Sequence, residues 1–203
     1  MTLLRTLLAA ALLAAAPLAA AAATILDTRD PGTASYFNLI STVTTNQSRL
    51  GQSFTIATPV SDVAVTTQFI SFSGGVDVLA QLVRGAGVGG SVLGGVRLTA
   101  TAAEVAGRTL ALRTADFSAL GTLMAGTYTF VVSGTGAFAG GAPGVDTPGT
   151  DSFGPEGVFD FRTNRAREFG ITVTATPIPL PASGLLLLGA AAALAGLRRR
   201  ARG

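Results

Sequence analysis

Between Thr24 and Thr176 apolar residues recur at alternate positions, and this constrains the fold more than any other feature of the chain. In "GQSFTIA" Phe54 and Ile56 share one face, with Ser53 and Thr55 on the other. "VAVTTQFISF" alternates through Val63, Val65 and Phe69. "VDVLAQLV" sets Val76, Val78, Ala80 and Leu82 against Asp77 and Gln81. The same period runs through Tyr128, Phe130 and Val132, and again through Phe169, Ile171 and Val173. A period of two is that of a strand with one buried face, and β-branched and aromatic enrichment agrees with it. Glycine-rich breaks at Gly74-Gly75, Gly85 to Gly90, Gly94-Gly95 and Gly134 to Gly141 punctuate the runs.

About eight to ten strands are expected, with one short helical candidate, "TAAEVAG" from Thr101 to Gly107. That pattern predicts an all-β fold, an antiparallel sandwich of jelly-roll-like form. "GAGVGG", Gly85 to Gly90, formally fits a phosphate-binding glycine motif. Such a motif must open a helix, whereas "SVLGGVRL" follows with strand character, so a hairpin loop is expected.

Neither cysteine nor histidine occurs among the 203 residues. Disulfides, Cys or His zinc sites, thiol nucleophiles and Ser-His-Asp hydrolysis are thereby excluded, and no cofactor is expected. Every basic residue is arginine, and the net charge of +3 arises at the chain ends. Nine arginines face all eleven acids between Thr24 and Thr176, a balance of −2. A slightly acidic body carries no electrostatic footprint for nucleic acid.

The segment 134–157 is expected to be a long loop of Gly, Pro, Thr and acids. Its Asp146, Asp151 and Glu156 are weak candidates for calcium, but they lack any fixed ligand spacing, and solvated carboxylates are the plainer reading. Arg162, Arg165 and Arg167 lie near Asp160 and Glu168 and read as a locally paired hairpin tip, with an anionic polysaccharide as the alternative contact.

The two ends are different in kind. Residues 1–23 have Arg5, an apolar Leu/Ala stretch broken at Pro17, and small residues before Thr24. This is the form of a secretory signal, cut between Ala23 and Thr24 with Ala21 and Ala23 in the peptidase pockets. Residues 177–203 begin "PIPLPASGLLLL" and end "RRRARG". The uncharged stretch 182–197 would make a helix of about 24 Å, slightly short of a hydrocarbon core of roughly 30 Å. Arg198, Arg199, Arg200 and Arg202 would hold its far end in the cytoplasm and leave the body outside.

This C-terminal stretch resembles the sorting signal of PEP-CTERM proteins, in the variant opening with a VPLPA-type motif. Ile178 stands where valine is usual, and Pro179, Leu180, Pro181, Ala182, Ser183 and Gly184 match as they stand. "LPASG" also resembles a sortase signal with Ser183 in place of threonine, but the preceding proline and the following Leu/Ala run fit the exosortase pattern better. The resemblance implies a Gram-negative protein that is not an enzyme. It would be exported through the Sec translocon, cut by signal peptidase and held transiently in the inner membrane. An exosortase would then process it for the cell surface or the polysaccharide matrix of a biofilm. Three readings stay open beside it. They are an extracellular carbohydrate-binding module, a singly anchored inner-membrane protein with a periplasmic β-sandwich, and a two-carboxylate glycosidase.

Overall fold

A computed structural model describes residues 21–29, 35–40, 49–70, 74–106, 109–135, 137–143, 152–154, 157–158 and 167–179. Residues 22–177 form a compact unit by themselves. Its described residues are all-β and antiparallel, with a short 3-10 turn at Ser118–Leu120.

The strands are β1 (Ala23–Asp27), β2 (Ser35–Ile40), β3 (Arg49–Ile56), β4 (Val60–Ile70), β5 (Val76–Arg84), β6 (Ser91–Ala100) and β7 (Ala111–Asp116). They continue with β8 (Gly126–Thr135), β9 (Ala137–Pro143), β10 (Ser152–Gly154), β11 (Gly157–Val158), β12 (Arg167–Phe169) and β13 (Ile171–Pro177). The first sheet runs β1-β13-β4-β9-β12, with β2 on β9 and β7 on β4. The second runs β11-β10-β3-β8-β5-β6.

Each sheet turns its alternating apolar face inward, and register puts those residues in rows. Leu26, Val173, Val65 and Ala115 are successive partners across the first sheet. In the second, Phe54 stands opposite Tyr128, and Phe130 opposite Leu82. Both sets belong to one buried cluster, an arrangement consistent with a β-sandwich. Phe130 of the second sheet stacks on Phe169 of the first, with ring centroids 6.1 Å apart, and meets Phe117 edge-on at 6.4 Å.

The alternation expected from sequence places Phe54, Ile56, Val63, Val65, Phe69, Val78, Ala80, Leu82, Phe130, Ile171 and Val173 in this core. Ser53 departs from expectation: it lies on the outward side but is only 2% exposed. The cover comes partly from residues 85–90, the expected hairpin loop between β5 and β6. The Thr129 hydroxyl donates to the Gly85 carbonyl (2.7 Å) and accepts from the Gly87 amide (3.0 Å). These bonds fold the loop back over the outer face. A Cβ at Gly51 would stand 3.1 Å from Val88 Cγ1 beneath it.

Two expectations need correction. Segment 134–157 is not one long loop, since β9, β10, β11 and the end of β8 fall within it. The glycines and alanines of β9 have weak strand propensity, but pairing with β2, β4 and β12 supplies partners that local sequence does not reveal. The candidate helix 101–107 forms only a turn. Its capping contacts are present: Glu104 accepts from the Thr101 amide at 2.7 Å, and the Thr101 hydroxyl accepts from the Glu104 amide at 3.3 Å. The turn buries Val105 and leads from β6 in one sheet towards β7 in the other.

Candidate functional site

The expected sorting segment leaves the body from an interior strand. β13 pairs with β1 on one side and β4 on the other, down to Pro177 opposite Val60. Ile178 and Pro179 follow it and are exposed. Leu180, Pro181, Ala182, Ser183, Gly184 and Arg198, Arg199, Arg200 and Arg202 lie outside the described residues, as does the expected span 182–197. Among the described residues no helix is long and apolar enough to cross a membrane.

The expected peptidase site adjoins the same end of the unit. Ala21 precedes β1, Ala23 is its first residue and pairs with Ala175, and Thr24 pairs with Thr174. The register therefore sets the two ends of the unit side by side. A cut before Thr24 leaves the β1 ladder intact from its second residue.

Three ion pairs among the described residues are local: Asp27–Arg29, Asp77–Arg97 and Glu104–Arg113. Arg97 donates two bonds to Asp77, one of them at 2.6 Å, and holds its carboxyl below the usual range. Burial raises the Asp27 carboxyl, but bonds from Thr172 (2.8 Å) and the Arg29 amide (3.1 Å) outweigh it and leave the pKa lowered. The Ser118 amide lowers Asp116. Glu104 is pulled to about 2, first by the Thr101 amide and then by Arg113 and the Thr101 hydroxyl. A general acid needs the opposite shift, a carboxyl raised towards neutrality.

Among the described residues no group of three or more acidic side chains could hold a metal ion. Asp146, Asp151 and Glu156 lie outside them. So do Asp160, Arg162 and Arg165, whereas Arg167 and Glu168 belong to β12 and not to a hairpin tip.

Two surface hollows stand out among the described residues. One, of about 380 Å³, is lined by Asp77, Leu79, Arg97, Ser133 and Gly134. The other, of about 320 Å³, lies at the end where β13 leaves, with Arg84, Leu93, Leu120 and Met124 among its walls. Beneath it the Tyr128 hydroxyl donates to the Met124 carbonyl at 2.7 Å. Every aromatic ring among the residues with described side chains is buried, so neither hollow presents a stacking platform for a sugar.

Sequence reasoning missed a buried polar cradle around the break between β12 and β13. The Thr28 hydroxyl donates to the Phe169 carbonyl (2.8 Å) and accepts from the Ile171 amide (3.0 Å). The Thr67 hydroxyl donates to the Gly170 carbonyl (3.2 Å), and Gln52 Oε1 accepts from the Phe169 amide (3.2 Å). All three side chains are at most 1% exposed. The signal was present for two of them. Gln52 keeps step with Phe54 and Ile56, and Thr67 with Val65 and Phe69, so both are polar residues at inward positions.

No protein-family model matches the chain, and no curated protein matches it.

Proposed function

We propose that the chain is a non-enzymatic exported protein whose C-terminal segment is an exosortase-type sorting signal. The observation that carries this reading is the continuous series from Pro179 to Gly184, the apolar run 182–197 and the arginine tail, starting directly after the last strand of a folded unit. Proline restricts its own backbone and that of the preceding residue, so Pro179 and Pro181 favour the extended form a processing cleft takes. Ala182, Ser183 and Gly184 leave the backbone open to attack. The body waits outside the inner membrane, then passes to the cell surface or the polysaccharide matrix.

The jelly-roll form of the body belongs to the same proposal. Three strand pairs nest about the β5–β6 hairpin: β4 with β7, β3 with β8, and β1 with β13. An antiparallel ribbon so nested, wrapped across two sheets, is the jelly-roll order. The resulting domain suits a matrix component that must hold together without disulfides.

Immunoblots of fractionated cells with and without exosortase test the sorting reading. The wild type should mature only where the enzyme is present, with Thr24 as its N-terminus. Replacing Pro179 and Pro181 with alanine should trap a full-length species in the inner membrane. Normal maturation of that variant, or of the wild type without the enzyme, makes a plain anchor the better account.

A further inference from the structure

We infer that, while the chain is anchored, the end of the body bearing Met124 and Val92 rests on the lipid surface as a docking face. This rests on the anchored reading above and deepens it. Pro177 pairs with Val60, and Val60 exchanges both backbone bonds with Leu123, at 2.9 and 2.8 Å. Two ladder steps of roughly 4.8 Å therefore separate the exit of the chain from Leu123, and Met124 comes next. Only five residue steps lead from Pro177 to Ala182, where the apolar stretch begins, and fully extended they reach no more than about 18 Å. So short a tether keeps this end of the unit close to the membrane.

The surface chemistry of that end suits the position. Met124 is 56% and Val92 54% exposed, large values for side chains of this kind. Met124 lines the hollow of about 320 Å³ together with Leu93, Leu120 and Arg84, and Val92 precedes Leu93 at the start of β6. Arg84 ends β5 at this side and is exposed, so it can meet an anionic headgroup while the apolar side chains enter the interface. Among the described residues, Asp62 and Asp116 are the acids towards this end. The pairs Asp27–Arg29, Asp77–Arg97 and Glu104–Arg113 all lie towards the opposite end of the strands. The three ion pairs thus face away from the lipid, and Met124, Val92 and Arg84 face towards it.

The chain contains no tryptophan, so a single introduced one reports its own depth. Full-length Met124→Trp, Val92→Trp and Leu112→Trp would be reconstituted in vesicles of phosphatidylethanolamine and phosphatidylglycerol, with and without brominated acyl chains. Leu112 is 52% exposed and sits near the start of β7, at the other end. Flotation and far-UV circular dichroism confirm anchoring and folding, and Val92→Trp carries the test if Met124→Trp fails to fold. The docking face predicts a blue shift and several-fold stronger bromine quenching for Met124→Trp and Val92→Trp than for Leu112→Trp. If the chains float with the vesicles but all three report alike, the docking face is wrong and the anchor stands. If the chains do not float, the anchored reading fails and takes the docking face with it.

Discussion

Replacing Thr28 with valine isolates what the buried cradle contributes. The two side chains have nearly the same shape, so packing changes little, but the hydroxyl is lost. Two backbone groups then lose a bond inside the core: the Phe169 carbonyl, now bonded at 2.8 Å, and the Ile171 amide, at 3.0 Å. Thr28 is 1% exposed, which leaves little access for water. A buried amide that loses its acceptor costs about 1–3 kcal/mol, so the loss at Ile171 alone should cost the substitution about 1–3 kcal/mol. That is a large part of a typical domain stability of about 5–15 kcal/mol. The bond from the Thr28 amide to the Ile171 carbonyl is untouched. Thr66→Val is the control, because its hydroxyl pairs with Thr114 at the exposed surface (2.9 Å) and should change stability by less than about 0.5 kcal/mol. Equilibrium urea unfolding of residues 22–177, followed by circular dichroism, reads the difference. With a slope of about 2 kcal/mol per molar urea, the Thr28→Val midpoint should fall by about 0.5–1.5 M. If it falls no further than that of Thr66→Val, the cradle is not what holds the β12–β13 break.

Acid should act through Glu104. Its folded pKa, about 2, lies below the ordinary 4.5, so its stabilisation is fully present above 4.5 and is lost as pH falls towards 2. Thermal melts of Glu104→Gln across that window should show a shallower acid decline than wild type; parallel curves would remove Glu104 from the account. The β5–β6 loop should discriminate between adjacent glycines. A Cβ at Gly90 would collide with the Arg84 carbonyl and stand 2.7 Å from Val83 Cγ1, whereas one at Gly89 meets nothing within 4 Å. Gly90→Ala should therefore cost about 1–3 kcal/mol in the same urea assay, and Gly89→Ala less than about 0.5 kcal/mol. Equal midpoints would mean the loop yields at both positions.

Much of the architecture is legible in the amino-acid sequence, because a strand with one buried face writes its period into the chain. Alternation alone assigns Phe54, Val65, Leu82, Phe130 and Val173 to a core, and they lie in it. Composition excludes whole chemistries just as directly, since a chain without cysteine or histidine cannot use them. The terminal patterns behind the export and sorting proposal are equally local. What local sequence cannot carry is pairing between distant residues. The strand character of β9 comes from β2, β4 and β12, and no period in "AFAGGAP" announces it. The burial of Ser53 depends in part on a loop folding back from residues 85–90, held by a hydroxyl at Thr129. Thr28 reaches the chain break 141 residues away, and a hydroxyl can satisfy a buried carbonyl only after the strands have met. Alternation thus determined which faces are apolar, and the tertiary structure decided which backbone groups those faces would have to satisfy.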